Sequence, residues 1–192
     1  MGLVRGYLAT SLDGFIAGPH DEIAWLQEPR LSGLPLASGA WAARGADGLE
    51  FEDFLAGVGC IVMGRRTYEV VREMPGPWAY GDIPMLIVTS RPLDGAPPQV
   101  SRYDAGVEQA IERAEAVAGG RDVYVDGGQT VRAALDGGLL DHLVITVLPT
   151  ALGRGVPLLA GLRDRVDFTV TEVRRWGPGL VQLHLTTRAG AV

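Results

Sequence analysis

Three places in the sequence join an apolar run to residues suited to holding an anion. Val123-Tyr124-Val125-Asp126-Gly127-Gly128-Gln129-Thr130 passes from a β-branched strand into two glycines and then a helix-like segment. Glycines let a ligand approach the backbone closely. The first-turn N–H groups of the following helix stay unpaired, with the positive end of the helix dipole behind them. The same join recurs at Ile61-Val62-Met63-Gly64-Arg65-Arg66-Thr67, where two arginines occupy a first helical turn. Cations are disfavoured at that end of a helix, so the pair implies a compensating anion. Arginine makes bidentate, charge-assisted contacts with phosphate. The third join is Leu86-Ile87-Val88-Thr89-Ser90-Arg91-Pro92, with two hydroxyls and an arginine beyond a strand. In open parallel sheets ligands bind beyond the C-terminal ends of the strands. A hydroxyl–hydroxyl–arginine group there suits a ribose phosphate and favours NADP over NAD. Each join also has a plainer reading: a tight connection at Gly127-Gly128, solvated charges at Arg65 and Arg66, an exposed turn at Arg91.

The elements that must position these residues follow from pattern. Val4 to Leu8 reads as a first strand, and Ser11 to Pro19 as a loop with turn chemistry at both ends. Ile23 to Gln27 reads as a short helical turn, Leu31 to Gly48 as a long loop, and Leu49 to Ala56 as a short amphipathic helix. Cys60 to Gly64 is wholly apolar, as a strand buried on both faces should be. Arg65 to Met74 follows as a helix, and Pro84 to Thr89 as another apolar strand. Val107 to Val117 is an amphipathic helix ended by Gly119-Gly120. Then come a strand at Asp122 to Val125, a helix at Thr130 to Leu135 and a strand at Asp141 to Leu148. Phe168 to Arg174 and Leu180 to Thr187 alternate as an antiparallel pair around Gly177-Pro178-Gly179. Alternating strands and helices followed by a hairpin predict one three-layer α/β domain over residues 1–192. Its central sheet should be mostly parallel, with antiparallel strands at the C-terminal end.

Composition narrows the function classes. The formal net charge of -6 argues against a nucleic-acid binder and against a binder of anionic membranes. Cys60 is the only cysteine, which rules out an intrachain disulfide and points to the cytoplasm. No segment approaches the roughly 20 apolar residues of a membrane helix, and the first residues lack a signal-peptide pattern. His20, His142 and His184 show no metal spacing, and His142 reads as structural. Trp25, Trp41, Trp78 and Tyr80 suit stacking on a flat heterocycle, or anchoring a core or loop. No Gly-x-Gly-x-x-Gly follows the first strand, so the usual dinucleotide fingerprint is missing.

Taken in order, Ser11-Leu12-Asp13-Gly14-Phe15-Ile16-Ala17, Val62-Met63-Gly64-Arg65-Arg66-Thr67-Tyr68-Glu69, Val88-Thr89-Ser90-Arg91-Pro92, Val125-Asp126-Gly127-Gly128, Leu139-Leu140-Asp141-His142-Leu143, Leu148-Pro149 and Leu152-Gly153-Arg154-Gly155 resemble the dihydrofolate reductase-like superfamily. The resemblance is closest to the reductase domain of the bifunctional riboflavin-biosynthesis deaminase-reductase and its stand-alone relatives. It spans nearly the whole chain. It implies the dihydrofolate reductase-like fold, and NADPH as hydride donor lying across the strand ends. On that basis Gly64, Arg65, Arg66 and Thr67 serve the phosphates, and Thr89, Ser90 and Arg91 hold the adenosine ribose and its phosphate. Gly127, Gly128, Gln129 and Thr130 hold the diphosphate and nicotinamide half, while Ala9 and Ile16 line the nicotinamide pocket. Asp13 is the resemblance's candidate catalytic residue near the substrate; its plain alternative is a turn-stabilising aspartate before glycine. The acid that true dihydrofolate reductases aim at the pterin has no clean counterpart, since Asp47 and Glu50 are misplaced relative to Gly64. The expected activity is therefore reduction of a small heterocycle, pterin-like or ribosylaminopyrimidine-like, or of a related carbonyl or imine. The rival is a nucleotide-binding module without turnover. The resemblance also implies a homodimer paired through C-terminal strands. No metal, nucleic acid or membrane enters the expectation.

Overall fold

In the computed structural model, which describes residues 2–26, 48–74, 76–176 and 180–187, strands and helices alternate through the middle of the chain. The elements are β1 (Val4–Ser11), β2 (Phe15–Ala17), a 3-10 turn (Ala24–Leu26), α1 (Phe51–Ala56), β3 (Val58–Gly64) and α2 (Arg65–Glu73). They continue with β4 (Met85–Val88), β5 (Val100–Tyr103), α3 (Val107–Ala118), β6 (Asp122–Asp126) and α4 (Gly128–Asp136). The last are β7 (His142–Leu148), β8 (Val156–Pro157), β9 (Phe168–Trp176) and β10 (Leu180–Thr187). The expected loop from Leu31, up to residue 47, lies outside the described residues, as do Trp41, Asp47 and the Gly177-Pro178-Gly179 turn.

The main sheet has the order β5-β4-β3-β6-β1-β7-β10-β9. From β5 to β7 every neighbouring pair is parallel, and β10 then pairs antiparallel with both β7 and β9. Alternate residues of the central strands enter two different cores. Cys60, Val62, Val123 and Val125 pack with Ala110, Ile111 and Ala114 of α3 and Val131 and Ala134 of α4. Ile61, Met63, Met85, Ile87 and Tyr124 pack with Phe54 of α1 and Tyr68 of α2. Helices thus cover both faces, and a strand so covered must be apolar at every position. That is why Val58 to Met63 is buried throughout. The result is a mixed α/β architecture with a mostly parallel central sheet and antiparallel C-terminal strands, as the strand–helix alternation and the closing hairpin predict.

Three strands escape the sequence pattern. β5 buries only Val100 while Ser101 and Arg102 are exposed, so this edge strand has no apolar run to announce it. β2 and β8 form a separate two-stranded antiparallel sheet, Phe15 opposite Pro157 and Ala17 opposite Val156. The segment read as a plain loop from Ser11 to Pro19 therefore carries a strand, and β1 runs on to Ser11. Among the described residues no helix is long and apolar enough to cross a membrane.

Candidate functional site

The order of strands puts β3 beside β6, so the helices that follow them begin side by side. Both helices start without a side-chain cap, which leaves first-turn N–H groups available to a ligand. The two starts touch. Gly127 has φ of 89°, a left-handed conformation that favours glycine, and a Cβ there would collide with Thr67 Oγ1. A Cβ on Gly64 would sit 3.4 Å from Thr130 Oγ1. These starts open on a cleft of about 930 Å³ at the C-terminal ends of β1, β3 and β6. Parallel sheets bind ligands at that edge.

Of the residues proposed from sequence, the cleft brings together Ala9, Ile16, Gly64, Arg65, Arg66, Thr67, Gly127, Gly128, Gln129 and Thr130. Thr89, Ser90 and Arg91 do not line it. They adjoin it through Arg65, whose Nη1 donates to the carbonyls of Pro92 at 2.8 Å and Arg91 at 3.4 Å. Arg102 supports the same turn from β5 by donating to Ser90 O at 2.6 Å. The two arginines of α2 have partners within the chain: Arg65 Nε donates to Glu69 Oε1 at 2.6 Å, and Arg66 is ion-paired to Asp21. The compensating charge that the sequence reading assigned to a bound anion is therefore supplied here by two carboxylates.

Asp13 stands apart from the cleft. Its carboxylate accepts hydrogen bonds from Ser11 Oγ at 2.6 Å and from the backbone N–H groups of Leu152 and Gly153 at 3.1 and 2.7 Å. The Ser11 hydroxyl, with those N–H groups, holds its carboxyl down at about 2. This is a joint between the turn after β1 and the chain before β8, the arrangement of the turn-stabilising alternative. It props up a roof: Ile16, Ala17, Val156 and Pro157 of the small sheet, with Gly155 just before β8, line the cleft over the α4 terminus. Arg132 fastens the far side, donating to Pro157 O at 2.6 Å and Leu158 O at 2.9 Å. A Cβ on Gly128 would lie 2.8 Å from Pro157 O, so this roof sits on bare backbone.

Among the described residues two acidic residues do line the cleft, Asp21 and Asp126, and Asp126, at the end of β6, is 8% exposed. Its Oδ2 accepts from Tyr80 Oη at 2.7 Å, and its Oδ1 from the Gly127 N–H at 2.8 Å. Burial pushes its carboxyl above the ordinary range, and hydrogen bonds from Tyr80, Gly127 and Tyr124 hold it partly back. Its sequence signal was a charged residue closing an apolar strand directly before two glycines. Around it Tyr7, Phe51, Phe54, Tyr80 and Tyr124 form one aromatic cluster, with Trp78 on Tyr80 at 5.4 Å between ring centroids. Tyr80 is thus a core residue, and so is Trp25. His142 and His184 lie together on β7 and β10, away from the cleft, with 5.7 Å between ring centroids.

The family model of the RibD C-terminal domain matches residues 4–182. The chain belongs to that family. Among curated proteins it is similar to YwjB of Bacillus subtilis (strain 168), 28% identical over 178 residues that cover 93% of this chain and 94% of that protein. Among solved structures it resembles a putative riboflavin biosynthesis protein from Shewanella sp. PV-4. That match has a TM-score of 0.78 and 26% identity, and covers 97% of this chain and 99% of that one. Acinetobacter baumannii RibD shares the fold at a TM-score of 0.64 and 17% identity, with 97% of this chain matched to 58% of that longer one. Family membership makes the molecule a reductase-like module.

Proposed function

We propose that the chain is a cytoplasmic, NADPH-dependent reductase of a small, flat, polar heterocycle, pterin-like or ribosylaminopyrimidine-like, or of a related carbonyl or imine. The observation that carries this reading is the pair of touching, uncapped helix starts, Gly64–Thr67 and Gly127–Thr130, on one deep cleft. The residues present fit a dinucleotide. Two first turns with the Thr67 and Thr130 hydroxyls suit a diphosphate, and Arg65 extends the site toward Thr89, Ser90 and Arg91 for an adenosine ribose phosphate. Ala9 and Ile16 then wall the nicotinamide end. When bound, the cofactor supplies a hydride.

The chain's own residues position and protect. Gly127 and Gly128 admit the ligand to the backbone. The roof of Ile16, Val156 and Pro157 keeps water from the reacting end. Asp126 offers a carboxyl at the end of β6 beside Gly127, where it accepts a hydrogen bond from a substrate N–H or, when protonated, holds a proton at an Oδ atom. Asp13 has no part in the chemistry. In the same reading the chain pairs with a second copy along β9, where Val170 and Val173 are 55% and 58% exposed. Sedimentation velocity would read that pairing directly.

The test is a titration with NADPH and with NADH, followed by tryptophan quenching and thermal shift. Saturable binding that prefers NADPH is the expected result, and it justifies a turnover screen over pterins and ribosylaminopyrimidines. Absence of binding by the folded protein would remove the reductase assignment and leave family membership alone.

A further inference from the structure

Arg66 points to an anion, and the chain itself provides one. Asp21 lies between β2 and the 3-10 turn and is ion-paired to Arg66 in the first turn of α2. The Asp21 side chain is 15% exposed and that of Arg66 is 74%, so the carboxylate is the fixed partner and the guanidinium the movable one. Its turn is tightly closed: the Gly18 N–H donates to Glu22 O at 2.8 Å, and the Asp21 N–H to Gly18 O at 3.1 Å. Asp21 has φ of 61° and is the only non-glycine residue in the left-handed region among the described residues. Such a conformation costs energy in most side chains and is kept where the surroundings over-determine it. The first turn of α2 contains no acid. Asp21 therefore supplies, from a distant loop, the negative charge that this terminus lacks. Both residues line the cleft and also an adjoining cavity of about 460 Å³. The ion pair stands at the boundary between the two spaces.

We propose that Asp21 sets the affinity of the anion site by holding Arg66 until a phosphate-bearing ligand takes it. The inference rests on the phosphate-binding reading of the cleft. A ligand that recruits Arg66 must break the ion pair and then bind beside the carboxylate left behind. The exchange favours a dianionic phosphate or a diphosphate, which attracts the guanidinium more strongly than one carboxylate does. It disfavours singly charged ligands, which gain nothing by the exchange.

The experiment compares wild type, Asp21→Asn and Arg66→Ala by calorimetric titration with NADPH and with inorganic pyrophosphate at low salt. Asparagine tolerates left-handed backbone, and Asp21→Gly is the second variant should the first melt early. Removing the carboxylate should tighten both probes about three- to fivefold, the size of an exposed ion pair, and the gain should shrink at high salt. Arg66→Ala should weaken both about tenfold. If wild type binds NADPH and both Asp21 variants bind it equally or more weakly, Asp21 does not compete for Arg66; the proposal fails while the cofactor reading stands. If the variants tighten pyrophosphate while NADPH binds none of the proteins, the proposal stands and the cofactor reading falls. No binding of either probe to any variant overturns both.

Discussion

Asp126 and Asp13 carry the same carboxyl group in opposite surroundings, and under the proposed function those surroundings give them different roles. Asp126 is buried, with a carboxyl raised by burial, and faces the cleft. Asp13 is at the surface, with a carboxyl lowered to about 2 by the hydrogen bonds that saturate it. Asp126→Asn should therefore cut turnover by about a hundredfold or more, the usual reach of a group that handles a proton. Cofactor affinity should change little, and the melting temperature should hold or rise because a buried charge is removed. Steady-state kinetics and a thermal melt on one preparation separate these effects. Asp13→Ala should do the converse, leaving the rate at saturating ligand unchanged while loosening the Leu152–Gly153 joint, measured as faster proteolysis there. With its folded value below the ordinary 3.8, Asp13 stabilises the joint above that pH and loses this only as pH falls toward about 2. A pH profile of turnover that follows Asp13 instead would return it to the chemistry.

The elements were legible where burial dictated residue type. β3, β4, β6 and β7 are buried on nearly every residue, so their sequences are largely apolar, and α3 shows its buried stripe at Ala110, Ile111, Ala114 and Ala118. β2, β5 and β8 are short and at edges, where little burial constrains composition. Strand order was the other hidden quantity. Nothing local places β6 between β3 and β1, yet that insertion is what brings the α2 and α4 starts together. Partners far apart in sequence were hidden for the same reason, which is why Asp21 and the Arg132 fastening escaped notice. The contact between the two starts makes Gly127 the point where the element scale is most exposed to change. Gly127→Ala adds left-handed strain and a collision with Thr67 Oγ1. It should cost about 1–3 kcal/mol of stability by strain alone, and it should abolish cofactor binding by prying α2 from α4. Denaturant unfolding and the NADPH titration would measure the two losses. A variant of full stability and unchanged affinity would show that the close approach of the helix starts is not needed.

At the scale of the whole molecule, the histidine pair at the β7–β10 seam couples fold stability to pH. His142 is lowered from 6.5 to about 4, by burial first and then by the charges of Arg5 and His184, against a smaller opposite effect of Asp122. His184 is lowered by burial and by Arg174, with Glu172 opposing. The Nε2 of His184 is 3.0 Å from Oε1 of the fully buried Gln182, whose amide also bonds Thr146 and both backbone groups of Leu49. The seam thus ties the C-terminal strands to the start of the α1 region. Because the native state resists protonating His142, the unfolded chain binds more protons between pH 6.5 and about 4. Stability is then full above pH 6.5 and declines as pH falls through that window. Asp126 has the opposite sign: its raised carboxyl binds a proton more readily when folded, which offsets part of the loss. His142→Gln removes one of these titrations and leaves those of His184 and Asp126. Unfolding free energies measured by denaturant from pH 7.5 to 4.5 should fall in wild type and fall less steeply in the variant. Parallel slopes in the two proteins would mean that another group carries the acid sensitivity, and that the seam is indifferent to the charge of His142.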